Sequence, residues 1–301
     1  MTRTAPERIL CPVDFSEFSS RAYAFASSLA RHYRARFFVQ HVVELWRHPS
    51  ASFAITAAEY EEFCRHLRDN GAEQLRRFLE ERLQSDINPE LVIEEGDATD
   101  RILGLAQKQE INLIVIGTHG ARGFDRLTLG SVCEKVLRKA HCSVLAVHDP
   151  AQAPVTAAVA RHKVELREIL YCTDFSDSSN QASDYALSIA EEYQARVTLF
   201  HVVEGIFRRR LRETTEKAYA SLRQLAPESS LRDQRISLMV RSGSPYREIC
   251  QLAAERNVDL IVMAVHGRNA LDEAVFGSTT YRVVLLAGRP VLAVHPERLI
   301  P

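Results

Sequence analysis

The chain has 301 residues, 46% of them hydrophobic and 26% charged, with a formal net charge of −1 and an isoelectric point near 6.8. That length suits two domains of about 150 residues, each large enough for its own core. The near-neutral balance excludes the basic field of a nucleic-acid binder, and no apolar run reaches the ~18 residues of a membrane-spanning helix.

In chain order, Ile9–Val13 reads as a short buried strand. Ser16 is placed as the N-cap of a helix running to about Ala35, with Ala22, Ala26, Leu29, Ala30 and Tyr33 on its buried face. Phe37–Val43 is the second strand, and a long amphipathic helix is expected over Ala57–Leu83. Leu91–Glu94 is the third strand, ended by Gly96, and Asp100–Gln109 a helix with Ile102, Leu103 and Ala106 inward. Leu113–Gly117 is a continuous apolar run of the kind buried in parallel sheets. A glycine-bearing loop, His119–Gly130, leads to a helix over Ser131–Lys139 and a last strand, Ser143–Val147.

The plan then begins again. Glu7–Glu44 and Arg167–Glu204 are identical at 17 of 38 positions without a gap, and LIVIGTHG at Leu113–Gly120 returns as LIVMAVHG at Leu260–Gly267. Residues 1–150 and 164–301 are therefore expected to be two copies of one domain, joined by a proline-bearing linker at 151–163. Strands alternating with helices imply α/β units, each with a doubly wound, mostly parallel sheet of five strands and helices on both faces. The final strands, SVLAV and PVLAV, are apolar on both faces, and pairing them would remove an aggregation-prone edge. A pseudo-dimer of the two domains through these strands is the resulting expectation.

In such sheets ligands bind beyond the carboxyl ends of the strands, where the strand order reverses. Pro12, Val13 and Asp14 end the first strand, Val42 lies near the end of the second, and the fourth runs through Ile116 and Gly117 into His119 and Gly120. Gly130, Ser131 and Val132 open the next helix, whose free N–H groups and positive end suit phosphate. Asp14 is placed to meet a ribose hydroxyl or a phosphate-bound Mg²⁺. A strand-to-helix turn that merely needs glycine is the plainer account of the same loop.

Gly117, Gly120, Gly130 and Ser131 have the spacing G-x2-G-x9-G-[S/T]. With VDFS at Val13–Ser16, HVV at His41–Val43, the LIVIGTHG run and the closing SVLAVH, they resemble the universal stress protein family. The resemblance covers nearly the whole chain twice, so the chain looks like a tandem member. It implies a sheet of order 3-2-1-4-5 and, in some members, bound ATP. Pro12, Val13 and Asp14 would then lie near adenosine, Val42 by adenine, and the glycine loop, with His119 and the flanking Ile116 and Val132, around the phosphates. It also implies a stress-response role without a shared catalytic reaction.

The second copy carries Ala264 where the first has Gly117, and its nine-residue spacer has a net charge of −1 against +1. The methyl group of Ala264 is expected to obstruct ligand approach, leaving a weaker second site at Asp174, Gly267, Gly277 and Ser278. His119 is expected to bond its own backbone, and His41, His148 and their copies His201 and His295 to meet water at strand ends. No metal-ligand spacing supports a metal site. Phe207–Arg212 (FRRRLR) reads as a solvated helix start.

The six cysteines form no C-x-x-C pair and are expected as buried free thiols in a reducing cytoplasm. The start of the chain has no apolar core of a secretory signal, which agrees with a cytoplasmic location. Three functions stay open: an ATP-binding regulatory module, a slow ATPase, and a nucleotide-free tandem scaffold. No Walker loop or nucleophile–base pair supports an enzyme, and a homodimer above the single chain is left open.

Overall fold

A computed structural model describes residues 6–44, 56–82, 87–120, 128–148, 164–205, 208–226, 235–265 and 277–295. The first half runs β1 (Arg8–Pro12), α1 (Glu17–Tyr33), β2 (Arg36–Val43), α2 (Ala57–Glu80), β3 (Glu90–Glu95), α3 (Ala98–Lys108), β4 (Leu113–Gly117), α4 (Ser131–Lys139) and β5 (Ser143–Val147). The second runs β6 (Glu168–Cys172), α5 (Asp177–Tyr193), β7 (Arg196–Val203), α6 (Arg208–Leu225), β8 (Ile236–Ser242), α7 (Pro245–Glu255), β9 (Leu260–Ala264), α8 (Ser278–Leu286) and β10 (Val291–Val294). The proline-bearing stretch 151–163 lies outside the described residues.

The strands form one ten-stranded sheet in the order β3-β2-β1-β4-β5-β10-β9-β6-β7-β8. Within each half every neighbouring pair is parallel. Each half therefore has its strand-order reversal between its first and fourth strands, β1 and β4 or β6 and β9. The halves meet where β5 and β10 run antiparallel, with Leu145 opposite Leu292.

Period-two alternation in β1 and β2 sends side chains to opposite faces. Ile9, Cys11, Phe37 and Val39 join α1 and α2 in one core, while Leu10 and Phe38 join α3 and α4 in the other. Each core continues through the matching layer of the second half. Between the halves, His32 bonds Glu192 at 3.0 Å and stacks on Tyr193 at 4.4 Å between centroids.

Several element boundaries shift by a few residues. The third helix starts at Ala98 because the Asp97 side chain accepts from the Asp100 N–H and caps it. Leu105, rather than Leu103, shares the buried i, i+3, i+4 face with Ile102 and Ala106, and Leu103 is half-buried at the edge of the core. The long second helix stops at Glu80, short of Leu83, which lies outside the described residues. All six cysteines are free thiols, five of them buried. Among the described residues no helix is long and apolar enough to cross a membrane.

Leu145 sits at the seam against a small apolar cavity of about 30 Å³ that Leu29, Ile189 and Leu292 also line. Leu145→Ala would enlarge that void where the halves meet. The expected loss is about 2–5 kcal/mol of stability, read as a lower urea midpoint of unfolding.

Candidate functional site

The ends of β1, β2 and β4 open into a single cavity of about 700 Å³, within the range of small-molecule pockets (about 300–1,000 Å³). All eleven residues expected from the first copy line it. Pro12, Val13 and Asp14 come from the end of β1, and Val42 from β2. Ile116, Gly117, His119 and Gly120 follow β4, and Gly130, Ser131 and Val132 open α4. Residues 121–127 of the intervening loop lie outside the described residues.

The start of α4 differs from the other helix starts of this half. Ser16, Thr56 and Asp97 cap α1, α2 and α3 with side-chain acceptors. Gly130 at the N-cap of α4 has no side chain to offer, and its own N–H is spent on Thr118 O at 2.8 Å. The N–H groups of Ser131, Val132 and Cys133 have no acceptor within the helix. They face the cavity together with the positive end of the helix dipole, a setting that stabilises an anion. A Cβ at Gly130 would lie 3.1 Å from Thr118 O and 3.3 Å from the His119 Cα, so glycine lets the helix start seat against the β4 loop. Burial pushes the Cys133 thiol up to about 12, so it lines the wall as a neutral group.

The turn after β1 is held in a costly conformation. Phe15 has φ 63°, a region that a bulky residue rarely adopts. Asp14 Oδ1 accepts from the Ser16 N–H at 3.1 Å and the Ser16 hydroxyl at 2.5 Å. Asp14 Oδ2 sits 2.7 Å from where a Cβ on Gly120 would stand, so this glycine admits the carboxylate to the loop. His41 does not merely meet water at a strand end. Its Nδ1–H donates to Val13 O at 2.9 Å and its ring lies against Phe15 at 4.4 Å, pinning the turn. His201 repeats both contacts, with Thr173 O at 2.8 Å and Phe175 at 4.4 Å.

His119 does not bond its own backbone either. Its Nδ1 pairs with the Thr118 hydroxyl at 3.1 Å, while its buried Nε2 has no hydrogen-bond partner among the described residues. His148, also expected at water, is buried and its Nε2 donates to Val284 O of α8, tying the first half to the second. Gln40 is fully buried beneath the cavity, its amide N–H₂ donating to Glu94 and to Arg101 O and its Oε1 left without a partner. A buried polar atom without a partner costs about 1–3 kcal/mol. Two of them next to one cavity fit a site that awaits a polar ligand. Among the described residues no three His, Cys, Asp or Glu side chains cluster as a metal site needs.

The universal stress protein family model matches residues 6–148 and again 165–295. The chain belongs to the universal stress protein family, as a tandem of two units. A universal stress protein of Mycolicibacterium smegmatis is 25% identical over 99% of this chain and 100% of its own length. One from Methanocaldococcus jannaschii is 32% identical over 48% of this chain and 83% of its own length. Among solved structures, a universal stress protein from Archaeoglobus fulgidus covers 97% of this chain and 96% of its own, at 20% identity and a TM-score of 0.63. That likeness supports the doubly wound α/β fold.

Sequence reasoning missed one wall of the cavity in this universal stress protein. Leu67, Asn70, Gly71 and Gln74 of α2 all line it, at the i, i+3, i+4, i+7 spacing of one helix face. Gly71 was the available signal, because glycine inside a helix costs about 1 kcal/mol relative to alanine. A Cβ there would lie 3.2 Å from Val43 Cγ2 and 3.3 Å from His41 Cδ2, so its absence lets α2 settle on the end of β2. Ala98 and Ile102 of α3 line the opposite side.

In the second universal stress protein unit, Asp174 repeats the Asp14 cap, accepting from the Ser176 N–H and hydroxyl at 3.0 and 2.6 Å. Gly277 and Ser278 start α8 without a side-chain cap, as Gly130 and Ser131 start α4. Gly267 lies outside the described residues. The crevice around Ala264 includes residues 266–276, which lie outside the described residues. Ala264 is packed into the core layer of α1 and α5, and a Cβ at Gly117 would meet the Phe18 backbone of α1 at 2.9 Å. Helix packing thus bears on this position as well as the cavity that Gly117 lines, and Ser178 replaces Phe18 in the copy.

Burial holds the His41 pKa below its ordinary 6.5, partly offset by the bond to Val13 O and by Asp14. The unfolded chain therefore takes up a proton that the folded chain resists. Stability is full above pH 6.5 and falls as the pH drops below it. A thermal midpoint that declines between about pH 7.5 and about pH 5.5, with a shallower decline in His41→Gln, is the expected result.

Proposed function

We propose that this universal stress protein is a cytoplasmic stress-response module that binds one ATP per chain, in the unit spanning residues 1–150. The uncapped start of α4 beside the unpaired His119 Nε2 carries the reading. An anion with several acceptor oxygens would satisfy the helix N–H groups and give His119 a partner. Mg²⁺, where it accompanies the nucleotide, would meet the phosphates or the exposed Asp14 carboxylate. The fit rests on the donors present: backbone N–H groups, the Ser131 hydroxyl and a histidine.

The unit at 164–301, beyond the linker at 151–163, binds weakly or not at all in this reading. Its helix start is as bare as the first, so the difference lies in the walls. Phe200 stands where Gln40 stands in the first copy, and Cys172 and Thr173 replace Pro12 and Val13. Pairing of β5 with β10 supports a pseudo-dimer in which this unit braces the first. The chain then acts through conformation or partners rather than turnover.

A nucleotide-free scaffold is the second reading. It is favoured by Asp14 and Glu44, the two charged side chains among the described residues lining the cavity, since neither attracts phosphate. Equilibrium dialysis with ATP separates the readings: a stoichiometry near one supports the first, and no binding the second. Ser131→Ala removes only the hydroxyl and should cost a few-fold in affinity. Ser131→Pro also deletes the N–H at the first helical position, which proline tolerates, and should cost about tenfold or more while the helix persists. Release of phosphate from the same samples tests slow hydrolysis.

A further inference from the structure

We infer that α2 forms the nucleoside-recognising wall of this cavity, with the side-chain amides of Asn70 and Gln74 contacting the base and ribose of the bound nucleotide. The inference rests on the ATP reading above and adds to it a wall, α2, that the family resemblance does not name. The cavity is electrically polarised. One end is the bare, positive start of α4. The other carries the Glu44 carboxylate just past the end of β2, two strands away from β4, where a phosphate chain would be repelled. The uncharged half of a nucleotide belongs at that second end, and α2 closes it.

Asn70 and Gln74 lie one helical turn apart on the face of α2 that lines the cavity. Both are exposed, so neither is held in the core by packing. A primary amide offers a donor and an acceptor side by side, the combination that base edges present. Gly71, between them, brings the helix within reach by removing the Cβ that would press on Val43 and His41.

The second unit supplies an internal comparison. Leu75 and Leu222, both fully buried, set the alignment of α2 with α6. Gly71 then corresponds to a buried alanine, Ala218, and Gln74 to Ser221. Asn70 corresponds to Lys217, whose ammonium is engaged by Glu213 at 2.6 Å. The close-packing glycine and both amides are thus replaced together, as expected if they serve one ligand.

Competition against labelled ATP tests this on the full chain carrying Asn70→Ala and Gln74→Ala. The expected result is a roughly tenfold loss of ATP affinity and of competition by adenosine, with tripolyphosphate competing as before and the thermal midpoint unchanged. Unchanged ATP affinity, or equal loss for adenosine and tripolyphosphate, overturns the assignment and leaves the ATP reading standing. Absence of ATP binding by the unsubstituted protein removes both. Ser131→Pro provides the opposite pattern, losing tripolyphosphate competition and retaining that of adenosine.

Discussion

Parallel pairing of β1 with both β2 and β4 is the constraint on which the rest of the site depends. The chain builds outward from β1 to β2 and β3 and then returns to lay β4 on the other side of β1, so the helices that follow β1 and β4 lie on opposite faces and the chain parts at their carboxyl ends. The crevice at Pro12–Asp14 is the geometric result. The loops after β2 and β4 reach it because their strands end at the same edge, and α2 and α3 bound it from the two faces of the sheet. No single loop residue would gather these groups without that sheet.

On this frame the ligand site is built from local conflicts that the fold sustains. Phe15 is held at a positive φ, and the contacts of His41 and the Asp14–Ser16 cap hold it there. The α4 start has no side-chain cap, although three other helices of the same half have one. Two buried polar atoms, His119 Nε2 and Gln40 Oε1, lack partners among the described residues beside the same cavity. Each feature is individually unfavourable, and all of them fall at one strand edge beside the cavity.

Much of this was legible in the residues. Leu113–Gly117, Ser131–Lys139 and Ser143–Val147 have the expected bounds because each is a periodic or apolar run stopped by glycine or polar residues. The repeat made the second half readable from the first. The Gly117-to-Ser131 spacing pointed to residues that do line the cavity. The role of Gly117 was not legible, since its nearest obstruction, Phe18, is 99 residues away along the chain. Neither was the roof. Asn70 and Gln74 look like ordinary exposed residues of an amphipathic helix until α2 is laid across the end of β2.

The sequence by itself determined the family, the tandem organisation, the alternation of strand and helix, and most of the segments that line the cavity. These depend on short-range patterns: periodicity, glycine placement and helix starts. Tertiary structure alone decided that His41 pins a backbone turn, that His148 reaches Val284 in the other unit, and that α2 closes the cavity. It also decided that Ala264 packs in the core layer and that a Cβ at Gly117 would meet the backbone of α1. The physical reason is the same in each case. Whether a side chain is a ligand contact, a packing element or a brace depends on what lies opposite it, and in a parallel sheet that neighbour arrives from a distant part of the chain.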